Sequence, residues 1–111
     1  MIKNAKICYV ELPKTKKEYL KGKTPCMIIE EMRDGSYTPY VTAIPITDKK
    51  RRYNPNAFHY KLRMQKKECY LLINQIQIVD RNAIKSRPIA TIPEEELIAI
   101  YNWLKAQLNL I

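Results

Sequence analysis

The hydrophobic period of this chain changes once. Up to about residue 80, apolar residues gather in short runs rich in Ile, Val, Tyr and Thr: KICYVEL (6–12), PCMIIEEM (25–32), YTPYVTAIPI (37–46), AFHYKLRM (57–64) and CYLLINQIQIV (69–79). Branched and aromatic residues suit a pleated surface, so these runs predict five or six strands. Beyond a short strand PIATI, the segment PEEELIAIYNWLKAQLNL changes to helical spacing, with Leu97, Tyr101, Leu104 and Leu108 on one stripe. The expected class is mainly β: a small barrel of five to seven strands with one C-terminal amphipathic helix. With 111 residues there is room for one core, hence one domain spanning 1–111.

Local signals fill in this outline. Asp34-Gly35 in RDGS (33–36) is the preferred pair for a tight hairpin, and QKKE (65–68) is a second hairpin loop. Continuous apolar runs, rather than strict alternation, imply strands covered on both faces or a small sheet curling on itself. Pro39 and Pro45 cannot donate to a ladder, so the run that holds them should have an edge or bulge at each end. VDRNAIKSR has room for a single helical turn. Thr91 and Glu94 have capping-box spacing, Pro93 fits a first turn, and three glutamates sit where the helix dipole favours negative charge. Trp103 lies off the stripe beside Ile100, as a second packing face or a subunit contact.

Several classes drop out. The longest uncharged run, residues 35–47, has 13 residues and two prolines, too short to cross a bilayer. The N-terminal stretch has no apolar h-region, so the expected compartment is the cytoplasm. Cys8, Cys26 and Cys69 are odd in number and lie in apolar runs, which favours buried free thiols over disulfides. His59 is the single histidine, too little imidazole for a zinc site, so no metal and no cofactor is expected.

Charge is the strongest functional signal. The net charge is +9, and fifteen of the 20 cations lie in residues 1–24 and 48–67, two loop-centred segments. Such clustering suits a surface that meets phosphates or an acidic partner, and its alternative is a solvated face that only confers solubility. KGKTP (21–25) and ITDKKRR (46–52) set threonines at strand borders beside these cations. Residue types alone support phosphate binding and leave catalysis open.

The order ICYVELP, KGKTPCMIIEE, YVTAIPITDKKRR, AFHYKL, LLINQIQIVDRNAI, IATIPEEEL and a final amphipathic helix resembles the MazF/PemK/Kid family of type II toxins from end to end. The most specific parts are NQIQIVD (74–80), similar to the family signature built on Q-I-R-T-I-D, and the upstream PIT (45–47). The resemblance implies an SH3-like barrel of the kind shared with gyrase-poisoning toxins, acting as a homodimer. It also implies metal-independent cleavage of single-stranded RNA to a 2′,3′-cyclic phosphate, and an acidic antitoxin as partner.

By the same resemblance, Thr47 matches the conserved threonine at the cleavage site. The arginine that precedes the second-strand proline is Thr24 here, with Lys23 the nearest cation, although a lysine lacks the planar fork of a guanidinium. The signature arginine is Gln77, the acid before the signature glutamine is Asn74, and Gln75 and Asp80 are retained. The implied catalytic set is Thr47, Lys23 and Thr24. The implied RNA contacts are Lys21, Lys49, Lys50, Arg51, Arg52 and Gln77, with Tyr19 and Tyr53 as stacking rings.

Structural readings stand beside these. Thr47 can end a strand and form a turn with Asp48, His59 can be a hydrogen-bonded structural residue, and Gln75 and Asp80 can orient backbone. Three functions follow: an endoribonuclease toxin; a barrel of the same shape that binds nucleic acid or protein without turnover, motivated by neutral Thr24 and Gln77; and, last, a gyrase poison. The last wants a tryptophan at the extreme C-terminus, where this chain reads QLNLI.

Overall fold

The computed structural model describes residues 5–14, 19–30, 32–33, 36–64 and 67–108. The strands are β1 (Ala5–Leu12), β2 (Gly22–Ile29), β3 (Met32–Arg33), β4 (Ser36–Tyr37), β5 (Tyr40–Thr47), β6 (His59–Met64), β7 (Lys67–Leu72), β8 (Gln77–Asp80) and β9 (Ala90–Ile92). One helix, α1 (Glu94–Gln107), closes the order. The main sheet is antiparallel in the order β6-β7-β5-β2-β1-β9, with β8 also on β5, and it curls into a half-barrel. No described helix is long and apolar enough to cross a membrane.

The run 69–79 becomes two strands because β5 takes both as neighbours in turn. Ile46 pairs with Leu71 on β7 and Ala43 with Gln77 on β8, so three steps along β5 are matched by six on the partner. A 3-10 turn at Ile73–Gln75 takes up the difference. Pro45 lies in this change of partners, fully buried inside β5 rather than at an edge. Its missing N–H falls where no regular ladder bond is required.

Strand alternation gives the sheet two cores. Ile7, Met27, Ile44 and Ile46 point to one face, and Cys8, Val10, Cys26 and Ala43 to the other. The chain thus buries strands on both faces, as its continuous apolar runs require. Cys8 and Cys26 are buried free thiols, Cys69 a partly buried one.

Helix α1 covers the core on the Ile7 face with Leu97, Ile100, Trp103 and Leu104. The expected stripe is therefore rotated: Tyr101 is 61% and Leu108 46% exposed, while Trp103 turns inward and meets Tyr60 edge-on at 5.4 Å. Tyr60 causes this, because its ring takes Trp103 and its hydroxyl reaches Glu96 at 3.2 Å. The first turn does hold Glu94, Glu95 and Glu96, but Pro93 is the N-cap and no side chain caps the helix. Thr91 cannot form the capping box because it pairs with Lys6 in β9.

The RDGS hairpin connects Arg33 to its register partner Ser36, with Asp34 and Gly35 outside the described residues. In the second hairpin Met64 pairs with Lys67, and Gln65 and Lys66 are likewise outside. The single turn expected after β8 is a 3-10 turn at Arg81–Ala83, capped by the Asp80 carboxylate.

Candidate functional site: a basic cleft where the sheet divides

Two prolines open the cleft. Tyr9 uses its backbone away from β2, since its carbonyl accepts from Lys85 N–H and its N–H donates to Ser86. Its opposite number on β2 is Pro25, which accordingly has no ladder bond to make toward β1. Toward β5 the missing donor matters. Pairing of β2 with β5 runs from Ile29↔Thr42 to Cys26↔Pro45 and stops there. Beyond that point Gly22–Thr24 stays with β1, whereas Ile46 and Thr47 stay with β7. The sheet divides, and a cleft of about 690 Å³ occupies the opening.

Both faces of the sheet contribute side chains at such a division. Lys23, Pro25 and Ile46 come from the helix-covered side, and Thr24 and Thr47 from the other. Tyr9 and Met64 extend an apolar floor. Lys23, Lys49, Arg51, Arg52 and Lys67 supply positive charge along the lining, against Asp48 as its one acid.

Thr47 ends β5 and is 8% exposed. Its Oγ1 accepts from Lys49 N–H at 3.1 Å, the turn geometry open to a hydroxyl at a strand end. With that lone pair engaged, the hydroxyl proton remains available for donation. Thr24 differs: it is buried and donates its hydroxyl to the Gly22 carbonyl at 3.1 Å. Gly22 has φ +75, a left-handed value that favours glycine, and this bend begins β2 just before Lys23. Lys23 lies on the cleft side, its Nζ 5.3 Å from the Tyr9 ring centroid.

The four consecutive cations do not act alike. Lys50–Arg52 is a 3-10 turn, and three residues per turn send successive side chains in three directions. Arg51 and Arg52 line the cleft with Lys49, while Lys50 does not. Lys67 Nζ lies 3.0 Å from Asp48 Oδ2, with 69% and 49% of the two side chains exposed. That bond holds the Asp48 carboxyl below the usual range. Exposed pairs are worth no more than about 1 kcal/mol, so Lys67 can exchange Asp48 for a phosphate.

Four other sequence candidates lie off the cleft lining. Lys21 is exposed, and Tyr19 is partly buried. Tyr53 stacks on Tyr70, with ring centroids 4.8 Å apart. Gln77 belongs to β8, where its amide reaches the Gln75 carbonyl at 3.5 Å.

The structural readings of three residues hold. His59 is buried, with Nδ1 accepting from Asn54 N–H at 2.9 Å and Nε2 facing Asn74 Oδ1 at 2.8 Å. This fixes the tautomer with the proton on Nε2. Buried Gln75 accepts from Leu20 N–H at 3.0 Å, and Asp80 accepts from Asn82 N–H at 2.7 Å. Sequence reading missed Tyr9, Met64, Lys67 and Cys69 as cleft residues, and the Arg81–Glu30 ion pair that braces the far end. Burial pushes the Cys69 thiol up. Among the described residues no group of His, Cys, Asp or Glu could hold a metal ion.

A curled half-barrel with a C-terminal helix packed on one face and a cation-lined cleft where its sheet divides defines a class of small β-barrels with one added helix. A profile described as PemK-like, MazF-like toxin of type II toxin-antitoxin system matches residues 3–108. The chain belongs to that family. No curated protein matches it.

Proposed function

We propose that the protein is the toxin of a type II pair and acts as a metal-independent endoribonuclease on single-stranded RNA in the cytoplasm, as a homodimer restrained by an acidic antitoxin. What supports this most is Thr47: a hydroxyl fixed by Lys49 N–H, on the wall of a cleft lined by five cations. Cleavage by attack of the 2′-oxygen on the adjacent phosphorus forms one P–O bond and breaks the bond to the 5′-oxygen. The products are a 2′,3′-cyclic phosphate and a 5′-hydroxyl. Water takes the 2′-hydroxyl proton and returns one to the departing 5′-oxygen. Thr47 donates a hydrogen bond to a phosphoryl oxygen as charge builds on the phosphorane, and Lys23 offsets that charge. Lys49, Arg51 and Arg52 hold the flanking phosphates.

The test is incubation of purified protein with RNA in EDTA. Fragments ending in cyclic phosphate are expected, and their absence overturns the reading. One observation favours a second reading, binding without turnover: the Thr24 hydroxyl is already engaged by the Gly22 carbonyl, so no cation occupies that position. Normal growth of cells expressing the protein without an antitoxin, with RNA binding retained, would select this second reading.

A further inference from the structure

A second basic surface adjoins the cleft. Thr47 pairs with Tyr70 on β7, and Tyr70 pairs with Lys61 on β6. Directly opposed residues of antiparallel strands share a face, so Thr47, Tyr70 and Lys61 form one row on one side of the sheet. Lys61 is two strand spacings from Thr47, on the order of 10 Å. Arg63 follows on the same face of β6, and both cations are exposed. The opposite face of this hairpin carries Leu62 and Met64 toward the core and the cleft. The hairpin is thus a wall with the cleft on one side and a basic face on the other, and Thr47, at the end of its strand, borders both.

Tyr53 joins the two sides. It directly follows Arg51 and Arg52 of the cleft rim, and its ring lies against Tyr70 at an interplanar angle of 27°. Lys61 Nζ stands 5.4 Å from the centroid of that ring. The acid of this face, Glu68 opposite Arg63, accepts the Tyr70 hydroxyl at 2.8 Å. A ring held from behind by a second ring and flanked by cations is a platform for an unpaired base. A base settling there displaces the exposed Lys61 ammonium, which is long enough to move to the adjoining phosphate.

We propose that single-stranded RNA in the cleft continues over the Arg51–Arg52 rim onto this outer face, where one base stacks on Tyr53 and phosphates meet Lys61 and Arg63. This rests on the RNA reading above and adds an outer subsite that makes binding depend on substrate length. The experiment measures binding of 2′-O-methyl RNA, which lacks the attacking hydroxyl, as mixed-sequence oligonucleotides about four and about twelve nucleotides long. Lys61→Glu with Arg63→Glu should weaken the longer oligonucleotide at least tenfold and reduce its log–log salt slope by about 1.4, at about 0.7 per lost single-strand contact. Tyr53→Ala should weaken it roughly tenfold. The shorter oligonucleotide should bind all variants as it binds the wild type.

An unchanged affinity for the longer oligonucleotide, or an equal loss for both lengths, overturns the outer subsite. The RNA reading survives either result if Lys23→Glu still weakens the shorter oligonucleotide. If neither length binds the wild-type protein, both the subsite and the RNA reading fail.

Discussion

The backbone N–H of Lys49 donates to the hydroxyl of Thr47 at 3.1 Å, which ties the end of β5 to the start of the basic turn. A structural and a chemical role therefore meet in one oxygen, and substitutions can separate them. Thr47→Ser keeps both the acceptor and the donor, so RNA cleavage should stay within about threefold of wild type. Thr47→Ala removes both and should lower cleavage by 100-fold or more, the scale of one lost transition-state hydrogen-bond donor. Loss of the single turn bond should cost only about 1 kcal/mol of stability. Single-turnover cleavage alongside thermal unfolding measures the two effects. A fall in Thr47→Ala activity no larger than its loss of folded protein would leave Thr47 as a turn residue.

Lys23 and Thr24 are neighbours on β2, yet they project to opposite sides of it. The cation faces the cleft beside Tyr9, and the threonine is buried with its hydroxyl on Gly22. A guanidinium grips two phosphate oxygens where an ammonium acts as a point charge. Lys23→Arg should consequently raise cleavage several-fold, and Lys23→Ala should lower it at least tenfold. Thr24→Arg should lower stability instead, since it puts a charge at a 6% exposed position and removes the hydroxyl bond to Gly22. Initial cleavage rates and unfolding midpoints of the three variants distinguish these outcomes.

His59 joins two loops that the strands alone do not hold. Its Nδ1 accepts from Asn54, its Nε2 faces Asn74, and it is 5% exposed. Replacement by alanine removes two hydrogen bonds to the exposed residues Asn54 and Asn74 and leaves a cavity at a buried position, at a cost of about 2 to 3 kcal/mol. His59→Ala should therefore lower the unfolding midpoint by roughly 10 °C or more. At a temperature where the variant is folded, its cleavage rate per folded molecule and its pH profile should match wild type. A flattened pH–rate profile would instead make this imidazole part of the chemistry.

The contrast between legible and hidden features follows from what periodicity records. Branched and aromatic runs located the strands, and cation clustering pointed to Lys23, Lys49, Arg51 and Arg52 before any pairing was known. Cross-strand neighbours are different, because Tyr9, Lys67 and Cys69 reach the cleft only through the register of β1, β2, β6 and β7. Pro45 reads locally as an edge signal, but it is buried where β5 changes partners between β7 and β8. The helix stripe was displaced by tertiary packing, since Tyr60 draws in Trp103 and leaves Tyr101 to solvent. A row such as Thr47, Tyr70 and Lys61 spans three strands and leaves no linear trace.

Cys8 and Cys26 face each other across β1 and β2, inside the core on the side away from the helix. Burial pushes the Cys26 thiol up to about 12, with Cys8 adding to the effect, and burial also raises Cys8. A thiol whose folded value lies above its unfolded one stabilises the protein fully below the unfolded value, near 8.5. That contribution declines as pH rises, because the unfolded chain releases its proton first. Urea unfolding should hence show stability falling between pH 8 and 10, with a shallower fall in Cys26→Ser, whose hydroxyl stays neutral over that range. Tyr60 and Tyr70, both held above the ordinary phenol range, add their own decline only nearer pH 10 and beyond. At pH 8, iodoacetamide should label Cys69 in the folded protein and reach Cys8 and Cys26 only after unfolding. Equal labelling of all three in native buffer would show that this core opens readily and that its thiols are not held by packing.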